Sequence, residues 1–201
     1  ESYEKSINID SNNVEAYNNL GIVLNKLGRL DEAIASYEQA LLINPDYTDS
    51  YNNLGIVLKK IGRLDDAIAS YEEAITINPN DADTYNNLGI ALADLGRLDD
   101  AIVSYEKALS INPKYAETYN NLSIVFLKLK RLEKALKFNQ NALMLKPNFA
   151  EGFAAQGRIY TELKQLYKAL DSLEKVKVMN PNLAYNLGAI LNVKMNLCHW
   201  D

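Results

Sequence analysis

The five prolines of this chain recur at a fixed interval. Pro45, Pro79, Pro113, Pro147 and Pro181 are each separated from the next by 34 residues. The segments that lead up to the first three prolines are nearly identical, and they read YNNLGIVLNKLGRLDEAIASYEQALLINP, YNNLGIVLKKIGRLDDAIASYEEAITINP and YNNLGIALADLGRLDDAIVSYEKALSINP. A period of this length predicts an array of repeated structural units.

Each period contains two apolar stripes whose members are three and four residues apart. The first stripe is Tyr17, Leu20, Leu24 and Leu27, and the second is Leu30, Ala33, Ile34, Tyr37, Ala40 and Leu41. This spacing predicts two amphipathic helices: Gly28 ends the first, and Pro45 prevents the second from continuing. Helices of about a dozen residues are marginal alone in water, so each pair needs its neighbours to bury its stripe.

The repeated positions resemble the signature of the tetratricopeptide repeat (TPR) family. When each proline is placed at position 32, the units are 14–47, 48–81, 82–115, 116–149 and 150–183. Position four is aromatic and position eight is small, as in the family: these residues are Tyr17, Tyr51, Tyr85, Tyr119 and Phe153, then Gly21, Gly55, Gly89, Ser123 and Gly157. The resemblance implies an all-α fold, a right-handed α-solenoid of helix-turn-helix repeats.

The signature weakens along the chain. Position 24 is aromatic in the first three units, as Tyr37, Tyr71 and Tyr105, but it is Asn139 in the fourth and Leu173 in the fifth. The fifth unit also has Gln156 where the others place Leu, Arg158 where they place Ile, and Val176 where they place Ala. We therefore interpret 150–183 as a divergent repeat.

The segments outside these five units indicate a fragment of a larger protein. Residues 1–13 align with the second half of a truncated repeat, whose partner helix is missing. Residues 184–201 begin like a helix but lack the turn of another repeat, so we expect a capping helix or the start of a junction to a following domain. Uncovered apolar residues at the two ends, Tyr3, Ile7, Ile9, Leu197 and Trp200, predict self-association through the exposed ends of the array.

Adjacent asparagines follow the position-four aromatic in four of the units. They are Asn18 and Asn19, Asn52 and Asn53, Asn86 and Asn87, and Asn120 and Asn121. In the TPR family these positions look into a concave groove, and a side-chain amide suits the N–H and C=O groups of an extended peptide. Asparagine is a mediocre helix former, so we expect its replacement by alanine to leave folding nearly unchanged. The alternative is that near-identical repeats copy residues that have no role.

Position two of every unit is acidic. The residues are Glu15, Asp49, Asp83, Glu117 and Glu151. If they face the groove they select against acidic peptides, and otherwise they stabilise the positive end of the first helix. The TPR modules that hold chaperone C-termini carry Lys and Arg here, so we do not expect that activity. Recurrent arginines at the inter-helix turn, Arg29, Arg63, Arg97 and Arg131, predict a solvated edge paired with nearby Asp and Glu.

The C-terminal segment Cys198, His199, Trp200 and Asp201 resembles the junction that precedes the catalytic region of O-linked N-acetylglucosamine transferases and their SPINDLY-type relatives. In that family the TPR arm selects protein substrates and holds them with a row of asparagines, one from each repeat. The second asparagine of each pair in this chain matches that row. This resemblance implies a substrate-docking arm. The alternative is a non-enzymatic TPR scaffold or adaptor for complex assembly, in which Trp200 and Leu197 cap the last helix pair. The sequence beyond Asp201 separates the two hypotheses.

Composition excludes several other functions. The chain is 48% hydrophobic and 23% charged, and no apolar run approaches the roughly 20 residues of a membrane span. A net charge of −5 argues against a nucleic-acid partner. With one histidine and one cysteine, no catalytic pair, metal site or cofactor site can be assembled, so we expect none in this fragment. The expected partners are proteins or peptides, without membrane binding, and the expected location is the cytoplasm.

Overall fold

The computed structural model describes residues 12–180, 188 and 190–195, and every regular element among them is a helix. The chain forms two compact units, residues 1–111 and 112–201. The helices are α1 Val14–Lys26, α2 Leu30–Ile43, α3 Thr48–Lys60, α4 Leu64–Ile77, α5 Ala82–Asp94, α6 Leu98–Ile111, α7 Ala116–Lys128, α8 Leu132–Leu145, α9 Ala150–Glu162 and α10 Leu166–Met179. The predicted all-α solenoid of helix-turn-helix repeats is confirmed.

Successive helices pack as pairs within each unit. In the first unit α1 packs with α2, α3 with α4, and α5 with α6, while α2 contacts α3 and α4 contacts α5. The first helices of neighbouring pairs also contact each other, α1 with α3 and α3 with α5. The second unit has the same arrangement, with pairs α7–α8 and α9–α10 joined by contacts of α9 with α7 and α8. We call the surface made by α1, α3 and α5 the first-helix face.

The helices end where the sequence predicts. Gly28, Gly62 and Gly96 have φ angles of 77°, 82° and 88°, which is the left-handed conformation that ends a helix most easily at glycine. Each second helix stops two residues before a proline, and Asn44, just ahead of Pro45, is extended with φ of −132°. Proline disfavours the helical conformation of the residue before it, so the proline period fixes the length of the second helix.

The equivalent turns of the second unit hold lysine in place of glycine. Lys130 and Lys164 have φ angles of 57° and 59°, and they are the only non-glycine residues with positive φ among the described residues. A side chain in this conformation costs roughly 1–2 kcal/mol, because its Cβ approaches the following carbonyl. These two turns are therefore strained relative to those of the first unit.

Glycine at position eight makes room for the buried tyrosine at position 24. A Cβ atom added to Gly55 would lie 2.6 Å from the ring of Tyr71, and the same approach occurs between Gly21 and Tyr37. Tyr71 is completely buried, so its ring has no free space to move into. Burial also raises the pKa of Tyr37 to about 12. In the first three pairs the two helices therefore approach closely because the residue at position eight lacks a side chain.

The fourth repeat departs from this pairing at both positions together. Ser123 replaces the glycine, and the smaller Asn139 replaces the tyrosine that would collide with its Cβ. Asn139 is completely buried, and its Nδ2 donates a hydrogen bond to the carbonyl of Gly152 at 2.8 Å. The asparagine that breaks the family signature thus connects α8 to α9.

A short helical segment closes the second unit. Residues 190–195 are helical, and the buried side chains of Ile190 and Val193 pack against Ala169 and Leu173 of α10. This packing suits the capping helix expected within 184–201, which stays a prediction over its remaining length. The truncated repeat at 1–13 and the uncovered residues Tyr3, Ile7, Ile9, Leu197 and Trp200 lie outside the described residues, except for Asn12 and Asn13 at the start of α1.

We expect the Gly55→Ala substitution to destabilise the fold. Alanine is the better helix former by about 1 kcal/mol, but overpacking against the immobile ring of Tyr71 costs roughly 1–3 kcal/mol. The net loss should be visible as a lower midpoint of urea unfolding. The penalty should shrink in a Tyr71→Leu background, because a shorter flexible side chain can turn away from the new methyl group. An equal penalty in both backgrounds would show that the ring is not its cause.

We expect the Lys164→Gly substitution to stabilise the second unit by roughly 0.5–1 kcal/mol. Glycine relieves the left-handed strain, although it also loses more conformational entropy on folding. Lys164 is preferable to Lys130 for this test, since the Nζ of Lys130 also pairs with Glu162 at 2.7 Å. Thermal unfolding of Lys164→Ala provides the control, because alanine keeps the Cβ atom and should bring no gain. A gain of the same size for both variants would contradict the assignment of strain.

Candidate peptide-binding surface

The asparagine pairs lie on the first helices, and their two members have different environments. The first members are buried or half-buried: Asn18, Asn86 and Asn120 are 5%, 6% and 4% exposed, and Asn52 is half-buried. The second members are all half-buried, namely Asn19, Asn53, Asn87 and Asn121. The surface available to a ligand is therefore supplied mainly by the second members.

Side-chain hydrogen bonds join the asparagines of successive repeats. The Nδ2 of Asn53 donates to the Oδ1 of Asn18 at 3.0 Å, and the Nδ2 of Asn87 donates to the Oδ1 of Asn52 at 3.1 Å. The Oγ of Ser50 also donates to the Oδ1 of Asn18, at 3.2 Å. Asn53 and Asn87 are thus each tied to the first asparagine of the preceding repeat. The repeat pattern alone does not predict this contact. It joins residues that are 35 positions apart, one more than the period of the repeat.

These hydrogen bonds change what an alanine substitution would do. Removal of Asn53 would leave the buried Oδ1 of Asn18 with only the weaker hydrogen bond from Ser50. A hydrogen bond of this kind contributes on the order of 0.5–1.5 kcal/mol net, so folding would not be unaffected. Asn53 and Asn87 therefore have a structural role between repeats. This role explains why asparagine, a mediocre helix former, recurs at this position.

The same hydrogen bonds leave part of each amide for a ligand. Asn53 and Asn87 each use one N–H, and no other hydrogen bond of either side chain is found within the described part of the chain. One acceptor oxygen and one further donor per side chain remain. Because the inter-repeat bond already holds the side chain, little rotamer entropy is left to lose when a ligand binds. The first-helix face therefore presents a row of pre-oriented amides.

An apolar row runs beside these amides. Ile22, Ile56 and Ile90 are half-buried, and each follows the second asparagine of its repeat by three residues. Residues three apart on a helix share a face, so each isoleucine neighbours Asn19, Asn53 or Asn87 in turn. The first-helix face of residues 12–111 consequently combines a polar row with an apolar row, which suits both the backbone and the side chains of a polypeptide.

The acidic residues of position two lie at the start of the first helices. Glu15, Asp49 and Asp83 are exposed in the first turns of α1, α3 and α5, and Glu151 is exposed in the first turn of α9. Glu117 of α7 differs, because its Oε1 accepts a hydrogen bond from the Nζ of Lys146, which lowers the pKa of Glu117. Both interpretations, helix-end stabilisation and repulsion of acidic ligands, fit this placement.

The arginines at the inter-helix turns form ion pairs on the surface. Each arginine pairs with the acidic residue three positions later: Arg29 with Glu32, Arg63 with Asp66 at 2.6 Å, and Arg97 with Asp100 at 2.7 Å. The side chains are about half exposed, and ion pairs this open to water add little to stability. The predicted solvated edge is confirmed for these three arginines.

The two units carry charge of opposite sign. Residues 1–111 contain 19 acidic and 8 basic residues, which gives a net charge of −11, while residues 112–201 contain 7 acidic and 13 basic residues, which gives +6. The overall charge of −5 therefore hides two electrostatically different surfaces. The field of the first unit attracts cationic ligands, and that of the second attracts anionic ones.

The described residues show no sign of metal or membrane chemistry. No group of three or more His, Cys, Asp or Glu side chains there is arranged to hold a metal ion. No helix in the same part of the chain has the length and apolar character needed to cross a membrane. Cys198 and His199 lie outside the described residues.

Family models for the tetratricopeptide repeat match more than half of the chain. Three of them cover residues 12–80, 82–115 and 104–137. A search of curated protein sequences finds no match. The family matches thus extend from α1 into α8, where the sequence follows the repeat signature most closely.

Solved structures share the fold over almost the whole chain. PilW, a type IV pilus biogenesis factor, aligns with a TM-score of 0.85 and 20% identity over 94% of this chain and 88% of its own. TTC0263, a TPR protein of Thermus thermophilus, aligns with a TM-score of 0.76 and 23% identity over 90% and 99%. YrrB, described as a TPR protein with an unusual peptide-binding site, aligns with a TM-score of 0.70 and 23% identity over 94% and 97%. At these identities the similarity establishes the fold.

Proposed function

Because this chain is an array of tetratricopeptide repeats, we propose that it is a protein-interaction module that binds an extended polypeptide along the first-helix face of residues 12–111. The observation that carries the proposal is the row of amides at Asn53 and Asn87, each held by a hydrogen bond to the preceding repeat. YrrB, which has this fold, is described as having a peptide-binding site.

The amides favour contact with the backbone of the ligand. The Oδ1 of Asn53 and of Asn87 can accept a hydrogen bond from a peptide N–H, and the remaining amide proton can be donated to a peptide carbonyl. Every residue of a polypeptide except proline offers both groups, so such contacts bind many sequences. The isoleucines beside them give an apolar contact for side chains, and this adds affinity without a strict sequence requirement.

The charge of this unit sets a preference among ligands. Residues 1–111 have a net charge of −11, and Glu15, Asp49 and Asp83 stand exposed at the start of the same helices. Neutral and basic polypeptides are favoured over acidic ones on this face, most strongly at low salt.

Two biological settings use this binding activity. The resemblance of the C-terminal segment implies the substrate-docking arm of an O-linked N-acetylglucosamine transferase. The residues on which that resemblance rests, Cys198 to Asp201, lie outside the described residues. The scaffold or adaptor accounts for the same face without a further domain, so we propose it as the setting.

The experiment compares two sets of asparagine substitutions against a blocked peptide. The probe is the tightest binder from an array of acetylated and amidated 12-residue peptides, titrated by fluorescence anisotropy. Replacing Asn53 and Asn87 together by alanine should weaken binding very roughly 5- to 150-fold, since two hydrogen bonds worth 0.5–1.5 kcal/mol each are lost. N-methylation of the contacting peptide amide should weaken binding to the original protein but no longer to the variant.

Asn18→Ala is the matched control for the single substitution Asn53→Ala, which is measured beside the double variant. It removes the acceptor of the inter-repeat hydrogen bond and should lower stability much as Asn53→Ala does, yet it leaves the ligand-facing oxygen of Asn53 in place. Its effect on peptide binding should therefore be clearly smaller. Equal losses of affinity in both variants, following the loss of stability, would contradict a contact between the asparagines and the peptide. If no peptide of the peptide array binds the protein, the proposed function as a whole is contradicted.

A further inference from the structure

A cleft of about 400 Å³ opens in the second unit, between α7, α9 and the helical segment 190–195. Its floor is apolar, with Leu127, Leu173 and Val193 only 5%, 1% and 2% exposed. Its rim is polar. The cleft therefore offers an apolar contact within reach of charged groups, a combination that suits an amphipathic ligand.

The rim has an excess of positive charge. Lys128, Lys130 and Arg158 line the cleft, against the single carboxylate of Glu162. The Nζ of Lys130 pairs with Glu162 at 2.7 Å, and this hydrogen bond is the main cause of the lowered pKa of Glu162. The surrounding unit carries a net charge of +6. An anionic group entering the cleft therefore meets a favourable field.

Arg158 is the cation best placed to bind such a group. It is exposed, and within the described part of the chain its guanidinium forms no hydrogen bond and no ion pair within 4.0 Å. A guanidinium offers five N–H donors in a planar fork that matches a carboxylate. The positive charge of Arg158 adds to the lowering of the pKa of Glu162, but it forms no ion pair with that carboxylate.

The repeat pattern supports a specific role for this residue. Arg158 occupies position nine of its repeat, where the preceding repeat has the half-buried Ile124 on α7. In the first unit this position supplies the isoleucines of the apolar row. The fifth repeat thus replaces an apolar contact by a cation at the position that the proposed function assigns to ligand binding.

We propose that this cleft binds an acidic side chain followed by an apolar residue within an extended polypeptide. The carboxylate pairs with the guanidinium of Arg158, and the apolar side chain lies on the floor formed by Leu127, Leu173 and Val193. The proposal rests on the proposed function, because it extends polypeptide binding to the second unit. It assigns that unit a ligand preference opposite to that of residues 1–111.

The test uses two acetylated and amidated 12-residue peptides that contain either Glu-Leu or Gln-Leu at their centre and are otherwise identical and uncharged. The whole chain should bind the Glu peptide about 5- to 10-fold more tightly, because the charge-assisted hydrogen bond to Arg158 is stronger than a neutral one. Arg158→Ile, which installs the residue of the other repeats, should abolish this preference without weakening the Gln peptide. Arg158→Glu should reverse it in favour of a Lys-Leu peptide.

Lys137→Gln is the control for general charge. Lys137 is exposed on α8 and does not line the cleft, so its loss removes the same charge and should keep the preference. An equal loss of preference in both variants would overturn the site, and so would an unchanged preference in Arg158→Ile. A Gln-Leu peptide with a free C-terminus that binds more tightly than the blocked Glu peptide would overturn the choice of an internal acidic residue.

The failures of the two proposals are distinguishable. If both peptides bind equally and their binding depends on Asn53 and Asn87, the proposed function stands and only the acidic-residue site is overturned. If neither peptide binds the whole chain but the probe selected from the peptide array does, only the acidic-residue site is overturned. If no peptide of that array binds either, the site and the proposed function are overturned together.

Discussion

A pair of short helices cannot bury its apolar stripe alone, and the whole structure depends on that constraint. Within a pair, burial requires the close approach of Gly55 to the ring of Tyr71 and of Gly21 to that of Tyr37. Between pairs, it requires that first helices lie side by side. The hydrogen bond from Asn53 to Asn18 forms at this second contact. Stability and the candidate binding surface therefore arise from the same packing.

The inter-repeat hydrogen bonds connect that packing to binding. A solvent-exposed asparagine on a helix would sample several rotamers and would lose that freedom on binding a ligand. In this chain the acceptors, the buried Asn18 and the half-buried Asn52, hold Asn53 and Asn87 in place. The same residue then serves the fold with one amide proton and leaves its carbonyl oxygen to a ligand. If both units bind polypeptides as proposed, their opposite net charges, −11 and +6, give similar repeats different ligand preferences.

Most of the fold could be predicted from the period. The glycines at 28, 62 and 96 and the regularly spaced prolines mark the helix ends, because their backbone preferences are local. The left-handed turns at Lys130 and Lys164 were not predicted, since no glycine marks them and the surrounding repeat imposes the conformation. Asparagines were identified as candidates, but their pairing across 35 residues depends on how neighbouring helices align. The cleft near Arg158 needs the segment 190–195 as a wall, and no repeat pattern predicts that segment.

The central claim is that Asn53 and Asn87 bind the preceding repeat and the ligand at once. Its most direct test is a titration of the ¹⁵N-labelled protein with a blocked peptide, followed through the side-chain amide signals. The signals of Asn53 and Asn87 should shift saturably with a common dissociation constant. The signal of Asn139, which is buried and bonded to the carbonyl of Gly152, should stay unchanged as an internal reference. Saturable binding that leaves the Asn53 and Asn87 signals in place would contradict the account.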